Sequence, residues 1–186
     1  MGVELINLAI IGAGWAGQRQ ARALQELDGQ IQLTCLVDDD PIHLAQTAEA
    51  LGVSDGRTDL NDVLADDRID AVSLCTPHGL HCEQAIAAAF AGKHVLVEKP
   101  MAMTVDDATK MIAAAEANDV RLYVAESATY QPMTGFLRQV VESQRQIGEV
   151  VAVSVTAGFR APEYGYPERR AWLADPALGG TGTWML

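Results

Sequence analysis

Apolar runs of five to seven residues alternate along the chain with longer stretches of helical period. The runs are INLAII, IQLTCLV, DAVSLCT, HVLVE and RLYVAE, with a weaker one near Arg57. Strands that alternate with helices in this way indicate a parallel sheet with helices on both faces. The pattern therefore predicts an α/β fold built on a doubly wound parallel sheet.

Two of the intervening stretches have clear helical signals. The first spans about residues 78–91 and stops at Gly92. Its predicted buried face is Cys82, Ala85, Ile86, Ala89 and Phe90. The second begins at Thr104, whose hydroxyl can cap the first turn while Asp107 stands in capping-box position. Its predicted buried face is Val105, Ala108, Met111, Ile112 and Ala115.

The pattern changes after about Glu126. A polar loop, SATYQP, precedes a helix that ends near Gly148, and EVVAVSVTAGF then alternates small and apolar residues, which is typical of a strand with one open face. We therefore expect a first domain over residues 1–125 and the beginning of a mixed α/β domain over residues 126–186. The second part has only about 60 residues, too few to close a core by itself, so we expect the chain to be a fragment.

Composition narrows the class of partner. The formal net charge of −12 disfavours nucleic acid and anionic membranes, because binding to either depends on Lys and Arg displacing counterions. The first apolar run, LINLAIIGAGWAG, has no basic segment before it and is too short and too rich in glycine to span a membrane. We therefore expect a globular protein that binds neither.

The cysteines indicate the cellular compartment. Cys35, Cys75 and Cys82 match neither a disulfide framework nor the spacing of a zinc site. They are typical of a reducing environment, so we expect a cytoplasmic protein without a metal centre.

A glycine-rich turn follows the first strand and opens a helix. Its sequence is GAGWAG, residues 12–17, and the strand-turn-helix context distinguishes it from a chance match to G-x-G-x-x-G. Gly12 permits the tight turn, Gly14 lets a pyrophosphate approach the backbone, and Gly17 lets the helix pack closely on the strand. The turn therefore predicts a dinucleotide site formed by Gly12, Gly14, Trp15, Ala16 and Gly17, with the indole of Trp15 interpreted as a packing group, like Tyr123.

The second predicted strand ends at Asp38, about 20 residues beyond Gly17. A carboxylate there can accept hydrogen bonds from both ribose hydroxyls and would repel a 2'-phosphate. Asp39 strengthens that repulsion, as does Asp40, whereas His43 or Arg19 would soften it. We therefore predict NAD as the cofactor, in preference to NADP.

Two further strand ends carry polar residues whose role the residues alone leave open. Thr76 and Pro77, with His78, either end a strand and begin a helix or contact the ligand at the carboxyl edge of the sheet. Glu98 closes the HVLVE run and Lys99 follows it. They form a strand end in solvent, a surface or buried ion pair, or chemical groups at the mouth of a site, with Pro100 holding the backbone.

The motifs GAGWAG, TPHGLH and GKHVLVEKP, in this order and at these distances, resemble the Gfo/Idh/MocA oxidoreductase family over nearly the whole chain. The most specific element is AGKHVLVEKPMAMT. The resemblance implies a Rossmann domain followed by a mixed α/β domain with an open sheet, which shapes the substrate site and contributes to a homo-oligomer. It also implies a small-molecule substrate, such as a sugar, an inositol or a related polyol.

The resemblance also implies roles for particular residues. Lys99 would reach the oxygen of the reacting carbon, its bond to Pro100 would be cis, and Glu98 would orient Lys99 or compensate its charge beside the cofactor. His81 falls on the family's usual histidine, whereas His78 replaces a more usual asparagine. In the second domain, Tyr130 falls where the family has an aromatic or small residue.

The segment around residues 160–175 is a second candidate for contact with substrate. Arg160 and Trp172, with Arg169 and Arg170, are either pocket groups for a hydroxylated or anionic ligand or surface residues of a loop. Past the glycine turn at GGTG the family usually carries an acid and then a histidine, and this sequence stops before both.

The function predicted first is hydride transfer between NAD and a secondary alcohol or ketone. Two alternatives remain: an NAD-dependent glycoside hydrolase of the same fold, and a non-catalytic dinucleotide-binding protein. Formation of NADH, release of a sugar without net NADH, or binding without turnover would distinguish the three.

Overall fold

The computed structural model describes residues 5–27, 29–143, 147–154, 156 and 175–178. Its described residues divide into two compact units. One contains those within Met1–Ala125 and Gly165–Leu186, and the other those within Glu126–Tyr164. The predicted Arg160 and Trp172 lie outside the described residues, as do Arg169 and Arg170.

The first unit is built on a parallel sheet of six strands in the order β3-β2-β1-β4-β5-β6. The strands are β1 (Ile6–Ile11), β2 (Ile31–Val37), β3 (Gly56–Arg57), β4 (Ala71–Leu74), β5 (His94–Glu98) and β6 (Leu122–Ala125). Strand order reverses between β1 and β4, the position at which doubly wound sheets bind ligands. The predicted fold class is confirmed, because each apolar run is a strand in a parallel sheet.

Helices connect the strands. They are α1 (Trp15–Gln25), α2 (Pro41–Leu51), α3 (Leu60–Leu64), α4 (His81–Phe90) and α5 (Val105–Ala117), with a 3-10 turn at His78–Leu80. Side-chain caps begin three of them: Asp40 accepts from the N–H groups of Ile42 and His43, Asp59 from that of Asn61, and Thr104 from that of Asp107. The predicted cap at Thr104 is confirmed.

Apolar side chains form a core on each face of the sheet. One cluster includes Val72 and Val97 together with Met111 of α5. The other includes Ile10 and Leu36 and packs against α1 and α2. Because both faces are covered, the central strands read as continuous apolar runs rather than alternating ones.

The predicted buried faces of two helices are wrong at their edges. Helix α4 begins at His81, after a separate 3-10 turn, and Phe90 at its end is 72% exposed. In α5, Val105 is 85% exposed and Ile112 is exposed as well. The helices contact the sheet through narrower stripes, such as Ala85 and Ala88 in α4 and Met111 in α5, so large side chains at the margin remain outside.

An ion-pair cluster connects β3 to the turn before β4. The guanidinium of Arg57 contacts the carboxylates of Asp55 and Asp66, each at 2.6 Å, and Arg68 contacts Asp66 at 2.7 Å. The hydrogen bond from Arg57 lowers the pKa of Asp55, and those from Arg68 and Arg57 hold the pKa of Asp66 well below its usual range.

The second unit contains a 3-10 turn at Ser127–Tyr130 and helix α6 (Pro132–Ser143). The predicted strand over EVVAVSVTAGF is not observed in its described residues, 149–154 and 156. Val151 and Val153 are exposed there. A strand requires a neighbour to pair its backbone, and these residues pair with no other described residue as a strand.

Within the described part of the chain, no helix is both long and apolar enough to cross a bilayer.

Candidate functional site

The turns that follow β1, β4 and β5 meet at the carboxyl edge of the sheet. A Cβ atom placed on Gly12 would lie 2.7 Å from the carbonyl oxygen of Cys75 and 3.1 Å from the nitrogen of Thr76, so the first turn lies against the second. The ring of His81 connects the second turn to the third, at Pro100. The predicted site residues of the first unit therefore converge on one edge.

The structure gives a different account of glycine at each of the three glycine positions in the first turn. Gly12 has φ of +99°, which favours glycine, and its neighbours leave no room for a Cβ. A Cβ on Gly17 would overlap the carbonyl oxygen of Gly12 and lie 3.0 Å from Cγ2 of Ile10. A Cβ on Gly14 would meet no atom within 4 Å, and its φ of −71° is open to any residue. Nothing within the described chain requires glycine at residue 14.

Gly14 is also the N-cap of α1, and it supplies no side-chain cap. The first turn of a helix presents N–H groups together with the positive end of the helix dipole. This end of α1, which includes Trp15 and Ala16, therefore fits an anionic group such as a pyrophosphate.

The indole of Trp15 is not part of the core. It is about half exposed, and the guanidinium carbon of Arg19 lies 4.8 Å from its ring centroid. Tyr123 in β6 is exposed as well. The interpretation of these two aromatic side chains as packing groups is wrong, since both lie at the surface.

Asp38 follows β2 and is buried beside the glycine turn. Its Oδ2 accepts the N–H of Ala13 at 2.9 Å, and its Oδ1 accepts the N–H of Asp40 at 3.1 Å. Each carboxylate oxygen has two lone pairs, so these bonds leave further acceptor capacity. Asp39, the next residue, is exposed. Asp38, the residue predicted to bind the ribose, therefore also holds the glycine turn in place.

His43 is a further site residue. The sequence indicated it only as a group that would soften the repulsion between Asp38 and a 2'-phosphate. Its Nε2 lies 2.9 Å from the carbonyl oxygen of Ala13, which also accepts from Nε2 of Gln18 at 3.0 Å. The peptide between Ala13 and Gly14 is trans, so its N–H points away from its carbonyl. Two donors on the carbonyl therefore orient the N–H of Gly14 away from α2.

His81 is completely buried between two backbone carbonyls. Its Nε2 lies 3.0 Å from the oxygen of Thr76 and its Nδ1 lies 3.0 Å from that of Pro100. Burial lowers the pKa of His81, although the two carbonyls favour the protonated ring. The neighbouring His78 is buried, with its ring centroid 5.6 Å away.

The second turn is held from several sides. The hydroxyl of Thr76 donates to Oε1 of Gln84 at 2.6 Å, and Pro77 precedes the 3-10 turn. A Cβ on Gly79 would overlap the carbonyl oxygen of Ala177, so the 3-10 turn Pro176–Leu178 rests directly on this segment. No local sequence pattern indicates this contact, because Gly79 and Ala177 lie far apart in the sequence.

Glu98 and Lys99 do not form the ion pair that their adjacency suggests. Oε1 of Glu98 accepts from Nε2 of Gln20 at 2.8 Å, and Oε2 accepts the backbone N–H of Lys99 at 3.2 Å. Lys99 is exposed, and its ammonium group contacts no carboxylate of the described chain within ion-pair distance. The interpretation of Glu98 and Lys99 as a surface ion pair is therefore wrong, although Glu98 does contact the backbone of Lys99. The Lys99–Pro100 peptide is cis, as the resemblance implies.

Tyr130 belongs to the second unit, where it ends the 3-10 turn and is exposed. Desolvation raises the pKa of the half-buried Cys75 thiol to about 12, which makes it a poor nucleophile. Among the residues that the structure describes, no group of three or more His, Cys, Asp and Glu side chains is placed to hold a metal ion.

Comparisons with known proteins agree with this geometry. The profile of an oxidoreductase family with an NAD-binding Rossmann fold, Gfo/Idh/MocA, matches residues 6–126. The chain is 34% identical to the scyllo-inositol 2-dehydrogenase (NADP(+)) of Bacillus subtilis, over 69% of this chain and 39% of the relative. It is 30% identical to the myo-inositol 2-dehydrogenase of Thermotoga maritima, over 84% of this chain and 46% of the relative.

Solved structures lead to the same family. The WlbA dehydrogenase of Bordetella pertussis, in complex with NADH and UDP-GlcNAcA, superposes with a TM-score of 0.73 at 30% identity and covers 78% of this chain and 42% of that one. The chain thus spans less than half the length of the relatives named here. The family profile covers the glycine turn, the six strands of the parallel sheet and the motifs at its carboxyl edge, and the chain belongs to the Gfo/Idh/MocA oxidoreductase family.

Proposed function

We propose that the protein to which this chain belongs transfers a hydride between NAD and a secondary alcohol or ketone of a sugar, an inositol or a related polyol. The observation that carries the proposal is Gly14, a glycine that neither backbone conformation nor packing within the described chain requires. It stands where the first turn of α1 presents its N–H groups. Family membership and the dehydrogenase names of the relatives support the same reaction.

Residues of the first unit supply the cofactor contacts in this proposal. The backbone of residues 12–17 binds the pyrophosphate, and Asp38 binds the adenine ribose. Thr76, Pro77 and His81, with Glu98 and Lys99, border the nicotinamide half. The bound cofactor supplies a nicotinamide carbon that accepts or donates the hydride.

We propose NAD rather than NADP for two reasons. The carboxylate of Asp38 is bonded to the N–H groups of Ala13 and Asp40 and stays in place beside the turn. Asp39 adds an exposed negative charge next to it. A ribose 2'-phosphate would meet both charges. Calorimetric titration is therefore expected to give a Kd for NADP+ at least tenfold above that for NAD+. The substitution Asp39→Ser is expected to bring the two Kd values closer together. Equal affinities would contradict the preference.

Lys99 is the proposed proton-transfer group. Its ammonium is exposed at the mouth of the site and is not neutralised by Glu98, so it can donate a hydrogen bond to the oxygen of the reacting carbon. In the neutral amine form it accepts the hydroxyl proton during oxidation, and in the ammonium form it returns that proton during reduction. Its position at the end of β5 orients the substrate relative to the cofactor.

The test is reduction of NAD+ with myo-inositol, scyllo-inositol and D-glucose as probes, followed by the absorbance of the reduced nicotinamide. Lys99→Met is expected to lower kcat by about a hundredfold or more while NAD+ affinity changes little, because the loss falls on proton transfer. Lys110→Met, on the exposed face of α5, is the matched control.

The outcomes separate the possible functions. Turnover that survives in Lys99→Met within a few-fold would exclude Lys99 from the reaction. Release of sugar from a glycoside without net formation of NADH would favour the hydrolase. Binding of NAD+ without turnover of any probe would favour a non-catalytic binding protein.

A further inference from the structure

Ser73, Gln20 and Glu98 form a hydrogen-bonded row beneath the carboxyl edge of the sheet. Ser73 in β4 is completely buried, and its hydroxyl donates to Oε1 of Gln20 in α1 at 2.5 Å. Nε2 of Gln20 donates to Oε1 of Glu98, at the end of β5, at 2.8 Å. One amide side chain thus joins a helix to two neighbouring strands.

The row has one consistent direction. A carboxylate only accepts hydrogen bonds, so Gln20 must turn its Nε2 toward Glu98. Its Oε1 then faces Ser73, whose hydroxyl has to donate. The hydrogen bonds therefore run from Ser73 through Gln20 and end on a negative charge. This arrangement holds the carboxylate of Glu98 in one position.

The other oxygen of Glu98 is also engaged. Oε2 accepts the backbone N–H of Lys99 at 3.2 Å, and Glu98 makes no ion pair with the Lys99 ammonium or with another described cation. Polar neutral groups thus stabilise the charge without cancelling it. A carboxylate in this state still acts electrostatically on its surroundings.

The place of Glu98 in the sheet determines which part of a dinucleotide it would affect. The pyrophosphate turn follows β1, and the strand order reverses between β1 and β4. In doubly wound sheets the dinucleotide crosses this point, with one half on each side. Asp38 ends β2 on the adenosine side. Glu98 ends β5 and therefore lies on the nicotinamide side.

We infer that Glu98 stabilises the oxidised cofactor relative to the reduced one, and that Gln20 is the positioning residue that keeps it there. The inference rests on the proposed function. A nicotinamide ring is positively charged when oxidised and neutral when reduced, so a nearby carboxylate lowers the free energy of the oxidised form alone.

The experiment measures the Kd of NAD+ and of NADH on the same preparation of each variant, by calorimetry. In Glu98→Gln the ratio of the NADH Kd to the NAD+ Kd is expected to fall roughly threefold to tenfold, because NAD+ loses an attraction that NADH never had. General damage to the fold weakens the binding of both NAD+ and NADH and leaves the ratio of their Kd values unchanged. The ratio therefore separates the electrostatic role from a structural one.

Gln20→Met tests the positioning role, since methionine has the length of glutamine without the N–H donor. The ratio is expected to fall in the same direction by a smaller factor. Two exposed residues away from the row provide matched controls: Glu116→Gln in α5 removes a carboxylate, and Gln46→Met in α2 removes an amide. Both control ratios are expected to stay within twofold of that of the unsubstituted protein.

The failures can be distinguished. If the unsubstituted chain binds neither NAD+ nor NADH, the proposed function fails and this inference fails with it. If both bind and the Glu98→Gln ratio stays within twofold, the inference is wrong while the proposed function stands. If Glu98→Gln shifts the ratio and Gln20→Met does not, Gln20 has no positioning role.

Discussion

The imidazole Nε2 of His43 lies 2.9 Å from the backbone carbonyl oxygen of Ala13, so a buried residue of α2 holds the glycine turn that precedes α1. The N–H of the same residue, which belongs to the preceding peptide unit, donates to Asp38. Ala13 is thereby fixed on both sides, and the adjacent N–H of Gly14 has a defined direction.

His43→Phe is expected to weaken NAD+ binding about threefold to tenfold, because it removes the donor that orients the peptide between Ala13 and Gly14. His43→Gln retains an N–H at similar reach and is expected to restore most of the affinity. Titration calorimetry measures both, with His94→Phe at the opposite edge of the sheet as the control. Equal losses in the Phe and Gln variants would show that the ring packs but does not orient the turn.

Gly14 and Gly17 are expected to respond differently to the same substitution. The Cβ atom added by Gly14→Ala meets no other atom, so the substitution should cost at most about 1 kcal/mol of stability, through the N-cap preference. It should nevertheless lower the affinity for NAD+ about tenfold or more. Gly17→Ala overlaps the backbone of Gly12 and should cost about 2 kcal/mol or more. Urea unfolding and NAD+ titration together test the pair. A Gly14→Ala protein with unchanged NAD+ affinity would contradict the site.

His81 makes the stability of the first unit dependent on pH. Burial lowers the pKa of its ring in the folded chain, so the unfolded chain binds the proton more readily. Its contribution is fully present above the ordinary histidine pKa of about 6.5 and is lost as pH falls from there toward the folded value. His81→Gln is expected to flatten the decline in unfolding free energy between about pH 7.5 and about pH 5.5. An unchanged slope would contradict this prediction.

Arg57 is expected to support stability near neutral pH more than in acid. It holds down the pKa of Asp55 and, with Arg68, that of Asp66, and this stabilisation is present above the ordinary Asp pKa of about 3.9 and is lost below it. Arg57→Met should therefore lower the urea midpoint more at about pH 7 than at about pH 3. The exposed Arg68 provides the comparison, and Arg68→Met should have the smaller effect at neutral pH.

Much of the fold was predictable because local chemistry decides it. The runs INLAII and HVLVE are strands with the predicted bounds, since both faces of the sheet are covered and most of their residues are apolar. The cap at Thr104 needs only the next three residues. Phe90 was placed wrongly because helical period alone does not specify how wide the buried stripe is.

The sequence by itself determined the alternation of strands and helices and the glycine turn, because each depends on residues within a few positions of one another. It also determined the family, because three such local motifs occur in a fixed order along the chain. Only the tertiary structure decided which partners the polar side chains have. Gln20 meets Glu98 across 78 positions of sequence, and His43 meets Ala13 across 30. Adjacency suggested a pair between Glu98 and Lys99, but the carboxylate is directed toward α1 instead. The tertiary structure brings the neutral amide of Gln20 within hydrogen-bond distance of that carboxylate, and no local pattern contains this information.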